Sequence, residues 1–410
     1  MNTPMATRIP AFVEPPLLVW ARKRAALSQE EVAAKVGIEV EKLDAWEAGR
    51  EQLSIAQLKK LADLYKRPVS VFFLPEPPAD FQALRDLRRL QVLPDRISKS
   101  LAYEVRAAHE RRLIALELAE DIGDPPEDFG ISAKKTDNPE AVALRVRERL
   151  GVSVQMQARW NNHDHTFRGW RDAIEAADVL VTVLSGAHHQ VPLSEVRGFA
   201  IAERPFPMIV VNGQDRGYGR VFTMLHELSH VVLGESVLED DLEPRDALPT
   251  ANRSTEVFCN KLAAAILMPR ESLLAEQLMV SKRANDVYSD AEISALSTRY
   301  GVSREALLVR LSDLGKASPA FVQAKRAELA ALYASQQKKE EEEEREDEGG
   351  GFAPYQYQVL GHLGRAYSRL VLQAYNARRL TLSTASGYLG AQAKLIPKIE
   401  RAAYGGASQR

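Results

Sequence analysis

His226-Glu227-Leu228-Ser229-His230 places two imidazoles four residues apart, with a carboxylate beside the first. On a helix, positions i and i+4 share one face, so both rings can reach one Zn²⁺ ion. Glu227 then stands where it can take a proton from a water at that ion. The chemistry this spacing serves is metal-assisted hydrolysis of a peptide bond. The flanks, Val221-Phe222-Thr223-Met224-Leu225 and Val231-Val232-Leu233, are apolar, so the motif belongs on a buried helix.

Two histidines do not complete a catalytic zinc site, which usually takes three protein ligands and one water. The extended H-E-x-x-H-x-x-G-x-x-H pattern fails, because Leu233 and Ser236 occupy the positions that need Gly and His. No histidine follows His230 until His362, so the third ligand must be a carboxylate. Glu256 ranks first, near the start of the next expected helix, with Asn260 one turn further on to support the site from behind. Glu235, Glu239, Asp240 and Asp241 compete, but they follow Gly234 in what reads as a solvated acidic loop. Tyr218 and Arg220 are nearby candidates for an oxyanion partner, although packing or a surface ion pair explains them as well. Cys259 reads as a small buried thiol, with a metal or redox role as the alternative.

These residues need a scaffold, and the pattern predicts an α+β chain, mostly helical. Residues 1–75 read as a helix-turn-helix bundle and 76–140 as a helical connector. Residues 141–315 form the catalytic domain, 316–351 a charged linker, and 352–410 a small helical unit whose role is not legible. In the bundle, one helix begins near Leu17. Ser28-Gln29-Glu30-Glu31 starts the second, with Ser28 as N-cap, and Gly37 ends it. Helices follow at about Glu39 to Ala48 and Ser54 to Tyr65. Pro75-Glu76-Pro77-Pro78 is a stiff connector, and helix resumes from Phe81 to about Ala119. Asp121 to Asn138 looks like a loop.

Within the catalytic domain, helices are expected at Ala141 to Leu150 and Arg168 to Ala176. Val179 to Leu184, Val196 to Ala202 and Pro207 to Asn212 read as strands. Met208 to Asn212 is the strand expected to pair with an extended substrate by β-augmentation. Helices follow at Thr255 to Leu267 and Ser272 to Leu278, then a helix, glycine turn and helix over Glu292 to Leu311. The Gly301-Val302-Ser303 turn weakly resembles a further helix-turn-helix piece, as does the C-terminal unit, but packing is the default reading of both. Lys338 to Glu348 is a charge block that reads as a solvated, partly helical linker.

Phe222 to His230, followed by Glu256-x-x-x-Asn260-Lys261-Leu262-Ala263-Ala264-Ala265-Ile266-Leu267-Met268-Pro269, resembles the ImmA/IrrE metallo-endopeptidase family. Arg197-Gly198-Phe199 and Ile209 to Asn212 are similar to the strands that precede its metal helix. The resemblance covers about Trp170 to Leu311. It implies a zincin-like domain with zinc held by His226, His230 and Glu256, and Glu227 as general base. It also implies cleavage of a repressor or partner regulator, in a stress response or in the control of a mobile element. Cys259 stands where that family often has Ala.

Gln29-x-x-x-Ala33-x-x-x-Gly37, followed by Leu43 and Trp46-Glu47-x-Gly49, has the spacing of a helix-turn-helix. Leu17 to about Leu74 is similar to the XRE or phage-repressor type of DNA-binding domain. Its charge is modest: Leu17 to Arg67 holds ten Lys or Arg against eight Asp or Glu, a balance of +2. The expected recognition helix carries Glu39, Glu41, Asp44 and Glu47 against Lys42, or −3. DNA contacts would fall to Arg22, Lys23, Arg24, Gln29, Lys42 and Arg50, and the alternative is a protein-docking domain.

The whole chain of 410 residues is 45% hydrophobic with net charge −2, which excludes a general polyanion binder. One cysteine excludes an internal disulfide and fits the cytoplasm. No secretory signal or membrane span is visible. The sum is a cytoplasmic, zinc-dependent regulatory endopeptidase with its own DNA-binding domain, acting on a protein substrate and possible as a homodimer on two-fold sites. The alternative is a transcriptional repressor or antitoxin whose protease-like domain serves as a sensor.

Overall fold

A computed structural model describes residues 10–11, 13–25, 27–65, 67, 69–73, 98–184, 190–215, 217–238, 250–346 and 353–405. The chain divides into two compact units, Met1–Val105 and Arg106–Arg410.

In the first unit, α1 (Pro15–Arg24), α2 (Gln29–Val36), α3 (Val40–Glu47) and α4 (Ile55–Tyr65) surround one core of Leu17, Leu18, Val32, Leu43, Trp46 and Leu58. Local chemistry sets both ends of α2. The Ser28 hydroxyl accepts from the Glu31 N–H at 3.2 Å, and the Glu31 carboxylate accepts from the Ser28 N–H at 2.9 Å. Gly37 then closes α2 at φ +74°, a region that strains any residue with a Cβ. α1 begins two residues before the expected Leu17, because a proline suits the first turn, where its missing N–H would have had no partner. The Pro75 to Pro78 connector and the first part of the helix expected from Phe81, through 97, lie outside the described residues.

Helix α5 (Lys99–Asp121) contains the boundary between the units. Then come α6 (Pro139–Leu150), α7 (Val154–Gln157) and α8 (His163–Glu175). The sequence places the start of α8 at Arg168. The helix starts five residues earlier, because the Asn162 side chain accepts from the His165 N–H at 2.8 Å and caps it. Phe167, Trp170 and Ile174 make its buried face.

The sheet holds β1 (Leu180–Leu184), β2 (Gly198–Ile201), β3 (Met208–Asn212) and β4 (Val237–Leu238) in the order β1-β3-β2-β4. β1 runs parallel to β3, and β2 is antiparallel to both β3 and β4. This order corrects one expectation. β3 lies between β1 and β2 with both edges paired, so Met208 to Asn212 has no free edge on which to receive a peptide. The run Met-Ile-Val-Val-Asn is buried throughout, as suits an interior strand.

Between β3 and β4 lies α9 (Gly217–Leu233), which carries the H-E-x-x-H motif, and after β4 lies α10 (Thr250–Leu267). α9 packs against α8, α10, β2 and β3. The region expected as one helix over Ser272 to Leu278 is two short ones, α11 (Arg270–Leu274) and α12 (Gln277–Val280). α13 (Asp290–Tyr300) and α14 (Arg304–Asp313) flank Gly301 at φ +60°, and a Cβ there would meet the Thr166 hydroxyl at 2.9 Å. This turn therefore serves internal packing. α15 (Pro319–Glu346) carries helix through most of the charge block. The chain ends in α16 (Tyr355–Leu363), α17 (Arg365–Asn376), α18 (Leu382–Tyr388) and α19 (Ile396–Tyr404). The architecture is the mostly helical α+β arrangement the sequence predicts. Among the described residues, no helix is long and apolar enough to cross a membrane.

Candidate metal centre

α9 is buried from Thr223 to Val232, and Val221, Met224, Leu225, Leu228 and Val232 fix its rotation in the core. That rotation presents His226 and His230 to α10, with Nε2 of one ring 3.1 Å from Nε2 of the other. Glu256, in the second turn of α10, brings its carboxylate to 3.1 Å from His226 Nε2 and 3.5 Å from His230 Nε2. One ligand atom from each residue falls within 4.8 Å of the other two. Among the described residues this is the one group of His, Cys, Asp or Glu close enough to share an ion.

α10 is held in place at its far end. Arg147 donates to Ile266 O at 2.5 Å and Gln157 to Leu267 O at 3.0 Å, while Arg310 Nε donates to Met268 O at 3.1 Å. These donors satisfy carbonyls that a helix C-terminus leaves open, and two of them carry the positive charge that this end favours. The Leu267-Met268-Pro269 ending thus locks the helix that carries Glu256.

The outward nitrogens of both rings also meet α10. His226 Nδ1 lies 3.1 Å from Asn260 Oδ1. A carbonyl oxygen only accepts, so Nδ1 carries the proton and the Nε2 lone pair points inward. His230 Nδ1 lies 3.6 Å from Cys259 Sγ. Cys259 is fully buried, in line with the buried-thiol reading. Burial, then the neighbouring His226, pushes His230 down to about 3, which keeps its ring neutral and its lone pair available near pH 7. Two facing imidazole Nε2 atoms and a carboxylate are a donor set that a divalent cation takes, so the residues present fit a metal.

Glu227 is completely buried and lies against β2. Its neighbour there is Gly198, where a Cβ would sit 3.0 Å from both Cγ and Oε1 of Glu227 and 2.9 Å from Thr223 Cγ2. The absent side chain makes room for the carboxylate. Sequence reasoning passed over this residue as part of a strand, although a lone glycine inside a strand signals a close approach.

The remaining candidates have other engagements. Glu235 pairs with Lys135 at 3.1 Å and accepts from the Thr255 hydroxyl at 3.1 Å, apart from the histidine pair. Glu239, Asp240 and Asp241 lie outside the described residues. Tyr218 stands edge-on to His163, with ring centroids 6.0 Å apart. Arg220 pairs with Asp164 at 3.2 Å and lies over the Phe167 ring.

In the first unit, Arg22 forms a two-point pair with Glu47, at 2.6 and 2.8 Å, and donates to Leu27 O. Gln29 donates to the same Glu47 at 3.0 Å. Arg50 pairs with Asp44, and Lys42 with Glu51. Lys23 is exposed, and the Arg24 side chain lies outside what is described. Of the six residues suggested for DNA, the structure thus joins four to acids of their own unit. Two of the four acids that make α3 read as −3, Asp44 and Glu47, are partners of those bases.

Comparison with known proteins agrees with this geometry. Residues 175–312 match the family model of the IrrE N-terminal-like domain of peptidase M78, and residues 17–71 match that of a helix-turn-helix domain. The chain is 31% identical over 130 residues to the radiation response metalloprotease IrrE of Deinococcus deserti, covering 31% of this chain and 39% of that protein. It is 31% identical over 103 residues to the protein of the same name from Deinococcus radiodurans, covering 24% of this chain and 31% of that one. The likeness thus spans well under half the length of these relatives. The residues matched to the IrrE N-terminal-like model include His226, His230 and Glu256, and the chain joins a helix-turn-helix domain to an IrrE N-terminal-like domain.

Proposed function

We propose that the chain is a zinc-dependent regulatory endopeptidase coupled to a DNA-binding domain. In this reading His226, His230 and Glu256 hold the ion, and the ion supplies Lewis-acid polarisation of the scissile carbonyl and a water of lowered pKa. Glu227 would be the general base, holding a proton on its carboxylate and passing it to the leaving amine. Gly198 leaves the space in which the Glu227 carboxylate turns between those tasks. Asn260 holds the His226 ring in its inward-facing tautomer. The observation that carries the reading is the convergence of three ligand atoms within 4.8 Å on two buried helices. The match to a peptidase domain family supports it.

The helix-turn-helix unit points to regulation, so the substrate we favour is a repressor or partner regulator, in a stress or mobile-element circuit. A DNA-bound role places the chain in the cytoplasm, acting as a dimer on a two-fold site. The experiment is elemental analysis of the purified chain together with incubation against repressor proteins encoded by its host. We expect one zinc per chain and a single cut, both lost in His230→Ala. Zinc without any cut would move the reading to a metal-dependent sensor. For the other unit, binding to promoter DNA must weaken steeply as salt rises, and binding indifferent to salt rejects a phosphate-tracking mode.

A further inference from the structure

The outer strand of a sheet presents main-chain groups that can template pairing with another chain. β1 is such a strand, since its partner among the described residues is β3. Leu180 N–H donates to Pro207 O at 2.8 Å, and Gly213 N–H donates to Leu184 O at 3.1 Å. Residues 180, 182 and 184 therefore turn their main-chain groups towards β3, and Val181 and Val183 turn theirs outward.

Side chains take both outward carbonyls. Arg171 Nη2, on α8, donates to Val181 O at 2.5 Å. His362, near the end of α16, bonds to Val183 O through Nδ1. Its Nε2 lies 3.4 Å from Arg111 Nη2. A guanidinium has no acceptor, so Nε2 accepts and the proton sits on Nδ1, which gives it to Val183 O.

The same knot binds the end of α16 and the start of α17. Arg171 Nη1 donates to Gly361 O at 2.7 Å. Glu175 pairs with Arg171 at 3.3 Å and accepts from the N–H groups of Arg365 and Ala366 at 3.0 and 3.1 Å. Those amides open α17, so Glu175 caps it from another helix. Gly364 sits between α16 and α17 at φ +86°, where a Cβ would stand 2.1 Å from Glu175 Oε1 and 2.7 Å from Val181 O. The backbone approaches this closely because position 364 has no side chain.

We infer that the C-terminal helices are an edge cap for the sheet, with His362 and the Gly361–Gly364 turn occupying the place of a strand beside β1. The cap prevents a second copy of this chain from pairing edge to edge with Val181 and Val183. It stands independently of the metal reading and gives the C-terminal unit a task.

The test uses the full chain. Gly364→Ala is compared with wild type by hydrogen exchange and by sedimentation velocity over a range of concentrations. The expected result is exchange at least about tenfold faster in peptides covering 179–184 and 355–370, with α9 and α10 unchanged. Self-association must then rise beyond the wild-type species. Loss of protection throughout 106–410 overturns the inference, because the helices would then be part of one indivisible core. Opening at 355–370 without new association also overturns it. Should Gly364→Ala fail to fold, His362→Phe removes one donor while keeping a ring. Smaller changes in the same two readouts are expected from it, and wild-type behaviour in both overturns the cap.

Discussion

In the helix-turn-helix unit, acids and bases meet in matched pairs: Arg22 with Glu47, Arg50 with Asp44, and Lys42 with Glu51. In the candidate metal centre, two imidazole nitrogens and a carboxylate converge on one place, and the groups behind them are an amide and a thiol. The Arg22–Glu47 pair and the metal cluster are both polar groups buried between packed helices. The first satisfies itself, so it reads as architecture. The second gathers electron pairs that only a cation can satisfy together, so it reads as a site. Whether the charges of a buried cluster cancel or converge separates the two cases.

The largest expected effect falls on the converging cluster. Glu227→Gln keeps the shape of the side chain and removes its basicity, so cleavage must fall on the order of 10²–10⁴-fold. Zinc content, read by elemental analysis, must stay at the wild-type level. Loss of zinc in this variant would make Glu227 a ligand and break the assignment of roles.

The cancelling cluster responds in stability instead. Glu47→Ala leaves Arg22 and Gln29 facing a nearly buried gap, since the Glu47 side chain is 4% exposed. Removing one partner of such a pair costs on the order of 3–5 kcal/mol. Arg50→Ala breaks a pair that is 61% and 49% exposed and costs less than about 1 kcal/mol. Denaturant melts of the two variants should differ accordingly. Equal costs would mean that burial does not separate these pairs.

A pH titration probes the second unit. Burial, then a neighbouring arginine, pushes His362 down to about 4 from 6.5. The folded state holds this ring neutral, so its contribution to stability is complete above pH 6.5. It is lost as pH falls towards 4, because the unfolded chain binds a proton that the folded chain refuses. The loss is on the order of 3 kcal/mol. Denaturant melts at pH 7 and 4.5 measure it, and His362→Phe should flatten the dependence. An equal slope in the variant would assign the loss to other groups.

The sequence made one cluster more legible than the other. H-E-x-x-H was readable because helical spacing puts both histidines on one face, and Glu256 with Asn260 because they stand one turn apart on the next expected helix in a pattern that resembles a known family. The helix-turn-helix was readable because Ser28, Gly37 and the apolar positions act locally. The pairing of Arg22 with Glu47 was not, since they lie 25 positions apart and only the fold brings them together. The same limit hid the interior position of β3, because a buried apolar strand says nothing about which strands flank it. It also hid the task of His362, which meets Val183 across 179 positions.

The smallest effects test how the metal ligands are held. Asn260→Ala removes the acceptor that fixes the His226 ring, and loss of such an outer partner typically weakens metal binding about 10–100-fold. Cys259→Ala removes a weaker contact, 3.6 Å from His230 Nδ1, and leaves a small apolar side chain in a fully buried place. Its loss of zinc affinity, measured by competition with a chelator, should be smaller than that of Asn260→Ala. The ordering matters more than either value. If Cys259→Ala weakens zinc as much as Asn260→Ala, the thiol orients His230 as firmly as the amide orients His226. The cluster would then be anchored equally at both rings. If Cys259→Ala changes nothing, His230 is held by packing alone, and α10 positions the site through Glu256 and Asn260.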